Sequence, residues 1–222
     1  MISEHDTVFY DSFTNTDSTP ITSHVPEVYA GAGSSTPWVN IDGSHSGGIG
    51  NVIITGNQAV GSGSGHNLAF AANVKDAKVT QYMLNYSAPY TVFSSALIIL
   101  RSGVLADGDA LPENALVLEI GEFTPGIVLS KINASGAAVV APGAPPAVLL
   151  SNALYSAPKV FTVENDGIGV RAYFSDEPTN VYAFDWADLT FTDPGNEAIG
   201  IIDWQGSQFD NYLRLNGIRV QR

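Results

Sequence analysis

The sequence predicts an all-β fold, a two-sheet antiparallel sandwich with almost no helix. Three observations carry that expectation. Turn-forming residues punctuate the whole length, with 22 Gly and 12 Pro among 222 residues. Between them lie short runs rich in Val, Ile, Phe and Tyr, spaced as in sandwich proteins. Several of these runs alternate apolar and polar residues, the period of a strand with one face in a core.

Strands are expected at residues 8–13, 38–41, 51–55, 67–72, 78–86, 96–101, 116–121, 126–132, 159–164, 167–174, 181–185, 198–203 and 213–220. In the 167–174 run, Ile168, Val170, Ala172 and Phe174 occupy every second position, which assigns them to the core face. Asn165-Asp166-Gly167 separates two such runs and reads as a hairpin turn. Leu213, Leu215, Ile218 and Val220 alternate with a phase slip at Asn216-Gly217, which reads as a tight turn or a bulge. A short helix near 107–114 is opposed by Gly108 and Pro112. The Gly/Ser-rich stretches 43–50 and 61–65 read as loops. Residues 1–222 are expected to form a single domain, with an N-terminal arm at 1–10 and an irregular loop or arm at 135–146. In that segment Pro142, Pro145 and Pro146 exclude a central strand.

Composition narrows the function classes. Nine Lys and Arg face 22 Asp and Glu, a net charge of −13. That balance argues against nucleic acid, whose phosphates need a basic stripe, and against anionic membrane surfaces. The apolar fraction of 45% is ordinary for a globular core, and 14% charged residues is low. There is no Cys, so a thiol enzyme is excluded and neither disulfides nor thiolate metal sites arise. The start, MISEHDTVFYDSF, lacks the basic and apolar regions of a signal peptide. No apolar run approaches the ~18 residues of a membrane span.

The ends carry a pattern. Asp11-Ser12-Phe13-Thr14, then Asp17, His24-Val25-Pro26-Glu27 and Trp38, lead to Ile53 and Gly56-Asn57-Gln58-Ala59. The close has Phe161-Thr162-Val163, Gly167-Ile168-Gly169-Val170, Pro194-Gly195, Gly200-Ile201 and Phe209-Asp210-Asn211-Tyr212. This resembles the concanavalin A-like (laminin G-like) jelly-roll domains, and the likeness covers most of the chain. It implies a jelly-roll sandwich. Such domains occur in glycan-binding proteins, in some glycan-cleaving enzymes and in bacteriophage virion proteins.

No catalytic set stands out. Enzymes on this fold place carboxylates on one strand so that two flank a single bond. The nearest match, Glu119-Ile120-Gly121-Glu122, puts its two carboxylates on opposite strand faces and reads as an edge or solvent-facing strand. Asp107, Asp109 and Glu113 form a weak Ca2+ candidate, only a fragment of the oxygen-rich loop that Ca2+ needs. The alternative is a solvated turn. The four His, at 5, 24, 45 and 66, lack metal spacing, and His24 is expected to pack within the opening turn. Asp185 and Trp186, with Trp204 and Gln205, pair an indole with acidic or amide groups near strand ends. These are the glycan-binding candidates, weighed against the commoner role of such aromatics in packing.

The expected function is therefore non-catalytic: a bacteriophage virion component, such as a capsid decoration protein. It would bind neighbouring virion or capsid proteins, form a homo-oligomer and bind host glycans. The missing leader suggests a virion location. The alternative is a carbohydrate-binding lectin or adhesin module, and a glycan hydrolase or lyase comes last. No cofactor is implied beyond the weak Ca2+ candidate.

Overall fold

In the computed structural model the chain is built almost wholly from antiparallel strands. The structure describes residues 7–30, 38–42, 51–62, 66–71, 78–86, 94–101, 113–121, 126–149, 158–189, 199–205 and 213–221. Among them there is no α-helix, only two single 3-10 turns, Ile21–Ser23 and Trp186–Asp188.

Two sheets result. The first contains β1 (Thr7–Asp11), β2 (Thr19–Pro20), β3 (Val28–Tyr29), β5 (Asn51–Ile54), β6 (Ala59–Ser62), β8 (Val79–Tyr86), β14 (Lys159–Asn165), β15 (Gly169–Phe174), β16 (Tyr182–Asp185) and β18 (Leu213–Gln221). The second contains β4 (Trp38–Asp42), β7 (His66–Ala71), β9 (Ser94–Arg101), β10 (Leu116–Gly121), β11 (Gly126–Ile132), β12 (Ala138–Val140), β13 (Val148–Leu149) and β17 (Ile199–Gln205). The first runs in the order β16-β15-β14-β8-β18-β6-β5-β2, with β1 beside β18 and β3 beside β1. The second runs β12-β11-β10-β9-β17-β7-β4, with β13 also on β11.

Alternation explains the core. Phe9, Tyr82, Leu84, Phe161, Val163, Val170, Ala172, Phe174, Ile218 and Val220 of the first sheet are buried. They belong to one cluster with Trp38, Ile98, Leu116, Leu118, Ile120, Ile127 and Leu129 of the second. Burying each large apolar side chain contributes roughly 1.5–3 kcal/mol. Phe161 and Phe174 are partners in the β14–β15 register, with ring centroids 4.9 Å apart.

Several local expectations meet a defined outcome. Asn165-Asp166-Gly167 is the β14–β15 turn: Gly167 has φ +87°, and Asp166 Oδ1 accepts the N–H of Ile168 and Gly169. The slip at Asn216-Gly217 is a bulge in the β18–β8 register. A Cβ at Gly217 would come within 2.6 Å of Met83 Cε. Ile168 departs from its expected place in the core. It sits at the hairpin tip, 71% exposed, because the strand period begins only at Gly169.

The Pro-rich stretch lies along the second sheet. Ala138–Val140 pairs with Ile132–Ser130 of β11, and Ala141 is buried. Where β12 ends, Tyr182 takes over. Its hydroxyl accepts the Leu129 N–H at 3.0 Å and donates to the Pro145 carbonyl at 3.2 Å. One phenol thus links β16 of the first sheet to β11 of the second and to the loop that follows β12. Of the stretch 1–10, residues 7–10 lie in β1, paired with β18 and β3, and 1–6 lie outside the described residues. The helix considered at 107–114 also lies outside them, except for Glu113 and Asn114, which form a turn.

Candidate functional site

Side chains that point away from the core of β14, β15 and β16 converge at one end of the first sheet. Register places Glu164 beside Arg171, Arg171 beside Ala183, and Gly169 beside Asp185. These residues, with Asp166, Val170, Phe184 and Asp188, line a groove of about 520 Å³. Gly169 and Ala183 keep its floor low. A Cβ at 169 would come within 2.6 Å of the Phe184 carbonyl and 2.8 Å of Asp185 Oδ1. The walls are carboxylates and one guanidinium, groups that accept and donate hydrogen bonds in fixed planes.

Electrostatics organises the rim. The Tyr173 hydroxyl donates to Glu164 Oε1 at 2.9 Å. Burial, followed by that bond and the negative charge of Glu164, raises the phenol above its ordinary pKa. Asp166 is held below the usual carboxylate range by the backbone N–H groups of Gly169 and then Ile168.

Trp186 stands behind the groove. Its indole lies 3.8 Å beneath the Arg101 guanidinium and meets Phe184 edge-on at 5.2 Å. Its Nε1–H donates to Asn165 Oδ1 at 3.3 Å. One ring face and the polar edge are therefore already engaged, and Trp186 anchors the turn that follows β16. The loop after β12 supports that turn from outside. Gly143, at φ +83°, approaches so closely that a Cβ there would overlap the Asp188 carbonyl oxygen.

A second polar cluster is buried at the opening of the chain. Asp11 is fully buried, and its Oδ1 accepts the Phe13 N–H at 2.7 Å and His24 Nε2–H at 2.8 Å. Oδ2 accepts the Trp38 indole N–H at 2.7 Å. Asn15 Oδ1 accepts the Thr16 N–H, so its Nδ2 faces His24 Nδ1 at 3.1 Å and fixes the Nε2–H tautomer. Nearby, burial raises the Glu27 carboxyl, but the hydroxyl and backbone N–H of Ser12 outweigh it and leave the pKa below its ordinary value. These contacts satisfy one another and leave no reactive group facing a cleft. The cluster is an internal brace.

Of the sequence candidates, Asp185 lines the groove and Trp186 stands behind it. Trp204 and Gln205 lie in β17 of the other sheet, where Trp204 pairs by register with His66 and Ser95. The two pairs therefore sit on different sheets. Asp107 and Asp109 lie outside the described residues, and Glu113 is exposed in a turn. Among the described residues, no group of three or more acidic or His side chains is arranged to hold a metal ion. The strand at Glu119, expected at an edge or facing solvent, is instead β10, paired on both sides by β9 and β11. Glu119 is half-buried there, with Ser130 Oγ 3.3 Å from its Oε2, and burial raises its pKa above the usual carboxylate range. Glu122 lies outside the described residues. Glu164, Arg171 and Gly169 did not stand out in the sequence, because only the register of three strands brings them together.

No protein-family model matches the chain, and no curated protein matches it. Solved structures do. The carbohydrate binding module CBM66 from Bacillus subtilis is similar with a TM-score of 0.51 and 13% identity, over 84% of this chain and 92% of that one. The VIP36 exoplasmic/lumenal domain gives 0.56 and 11%, over 93% and 91%, and it is also known with Ca2+ and Man bound. The Emp46p carbohydrate recognition domain gives 0.57 and 11%, over 83% and 88%. At such identities the likeness is one of fold: the chain is an antiparallel jelly-roll β-sandwich, as these domains are.

Proposed function

We propose that this chain is a non-catalytic carbohydrate-binding module whose ligand lies in the groove formed by β14, β15 and β16. The observation that carries the reading is the groove itself. Its low floor at Gly169 and Ala183 lies between Glu164, Arg171, Asp185 and Asp188. Carboxylates accept from the vicinal hydroxyls of a sugar, and a guanidinium donates two parallel N–H bonds to adjacent oxygens. Carbohydrate binding by similarly folded domains supports the same choice. The role in a phage particle has no observation in its favour. Isothermal titration against a panel of neutral oligosaccharides tests the proposal. Binding by the wild type should fall at least tenfold in Asp185→Ala and in Arg171→Ala. Wild-type protein that binds no sugar, or variants that bind as the wild type does, would overturn it.

A further inference from the structure

The same sheet face continues away from the groove. In β1, β18, β8, β14 and β15 the residues on either side of Tyr10, Arg219, Gln81, Thr162 and Tyr173 face the core. Phe9, Asp11, Ile218, Val220, Thr80, Tyr82, Phe161, Val163, Ala172 and Phe174 are all buried. The five named residues therefore point away from the core; Tyr10, Gln81, Tyr173 and Arg219 are partly exposed, and Thr162, within the row, is covered by its neighbours. Register sets them side by side: Tyr10 with Arg219, Arg219 with Gln81, Gln81 with Thr162, and Thr162 with Tyr173. Neighbouring strands lie about 4.8 Å apart, so the row is about 19 Å long. It ends at Tyr173, whose hydroxyl is bonded to the groove residue Glu164.

We infer that this row is an extended binding surface for an uncharged, linear polysaccharide whose chain passes from the groove across the sheet. The inference rests on the groove reading above and specifies its ligand: an internal stretch of polymer rather than a short sugar or a chain end. The row's chemistry selects this occupant. It offers phenols, an amide and one guanidinium, packed around the buried Thr162, with no carboxylate and no lysine. The phenol rings at its ends are rigid, amphipathic surfaces that order at low entropy cost. The Arg219 guanidinium lies 5.8 Å over the Tyr10 ring, which holds both in place.

Other occupants fit poorly. Outward positions along a strand repeat about every 7 Å, so the row and its neighbour cover on the order of 300 Å². A stable protein interface takes about 800 Å² from each partner, with an apolar centre. A net charge of −13 disfavours nucleic acid.

The experiment is titration calorimetry with laminarin, levan and pullulan, each as polymer and as its trisaccharide, on wild type, Tyr10→Ala, Gln81→Ala and Asp185→Ala. For the polymer that binds, affinity per site should exceed that of its trisaccharide at least tenfold. Tyr10→Ala and Gln81→Ala should abolish that advantage and leave the trisaccharide unchanged. Should Tyr10→Ala not fold, Gln81→Ala and Arg219→Gln read the same row from β8 and β18. Equal affinity for both lengths, with both lost in Asp185→Ala, overturns the extended surface and keeps the groove. Wild type that binds neither form of any of the three overturns both. Self-association in sedimentation equilibrium that Tyr10→Ala removes would assign the row to a second copy and overturn the inference.

Discussion

Asp11 and Trp38, 27 residues apart in sequence, meet inside the sandwich, where the indole N–H donates to Asp11 Oδ2 at 2.7 Å. The same carboxylate accepts from Phe13 and His24. Asp11 therefore joins β1 to β4 of the opposite sheet and to the 3-10 turn between them. Asp11→Ala would leave three buried donors without an acceptor. The expected loss is about 3–5 kcal/mol, read as a lower midpoint in urea unfolding. Trp38→Phe keeps most of the packing and frees only one acceptor position, so it should cost less than half as much.

Gly143 lies against the turn behind the groove, and Tyr182 ties the loop that carries Gly143 to β11. Gly143→Ala forces a side chain against the Asp188 carbonyl at a positive φ. It should cost about 1–3 kcal/mol and shift the Trp186 indole N–H resonance, with that of Trp38 unmoved. Tyr182→Phe removes the acceptor of the Leu129 N–H and should cost about 1–3 kcal/mol. Thermal melts and two-dimensional 15N spectra check both.

Gly169 sets the depth of the groove. Gly169→Val would place its methyl groups at Asp185 Oδ1 and lift the floor. Sugar affinity should fall more than tenfold, and hydrogen exchange at Ala183 and Asp185 in β16 should accelerate. Unchanged affinity would show that the floor does not bear ligand.

Glu119 gives the protein a pH signature. Burial holds its carboxyl above the usual range, so the native state keeps this proton to a higher pH than the unfolded chain does. Between those two values the native state binds more protons, and its contribution to stability falls as pH rises. Glu119→Gln, which retains a partner for Ser130, should raise the urea midpoint at pH 7 and flatten the profile above the ordinary carboxylate range. A midpoint at pH 7 no higher than that of the wild type would refute the assignment. Loss of a sugar-cleaving activity in the same variant would instead make Glu119 catalytic.

Alternation and turn chemistry made the long strands legible. The runs at 116–121 and 126–132 coincide with β10 and β11, because both are bounded by residues that favour turns. The pieces that were missed, β2, β3, β6, β12 and β13, are two to four residues long. A partner strand defines each of them, since such a length has no period of its own. Ile168 extended an alternation past the point where its backbone leaves the strand. The site was half legible. Asp185 could be found from a Trp beside a carboxylate at a strand end. The Arg101 guanidinium over Trp186 comes from the other sheet, and Glu164 meets Arg171 only through strand register. His24 and Trp38 were visible as a sequence pattern, but their shared acceptor was not.

Thr7 and Gln221 are register partners on adjacent strands. The polypeptide therefore enters and leaves the sandwich at nearly one point, a strand spacing of about 4.8 Å apart. A domain wired this way can be spliced into a surface loop of another protein without prying the host open, or permuted by joining those ends and cutting at the Asp166-Gly167 tip. Tyr10 and Arg219 lie on the same two strands, close to that junction. A host fused there would border the proposed polysaccharide track at its far end, while the groove beyond β14 stays clear of the graft.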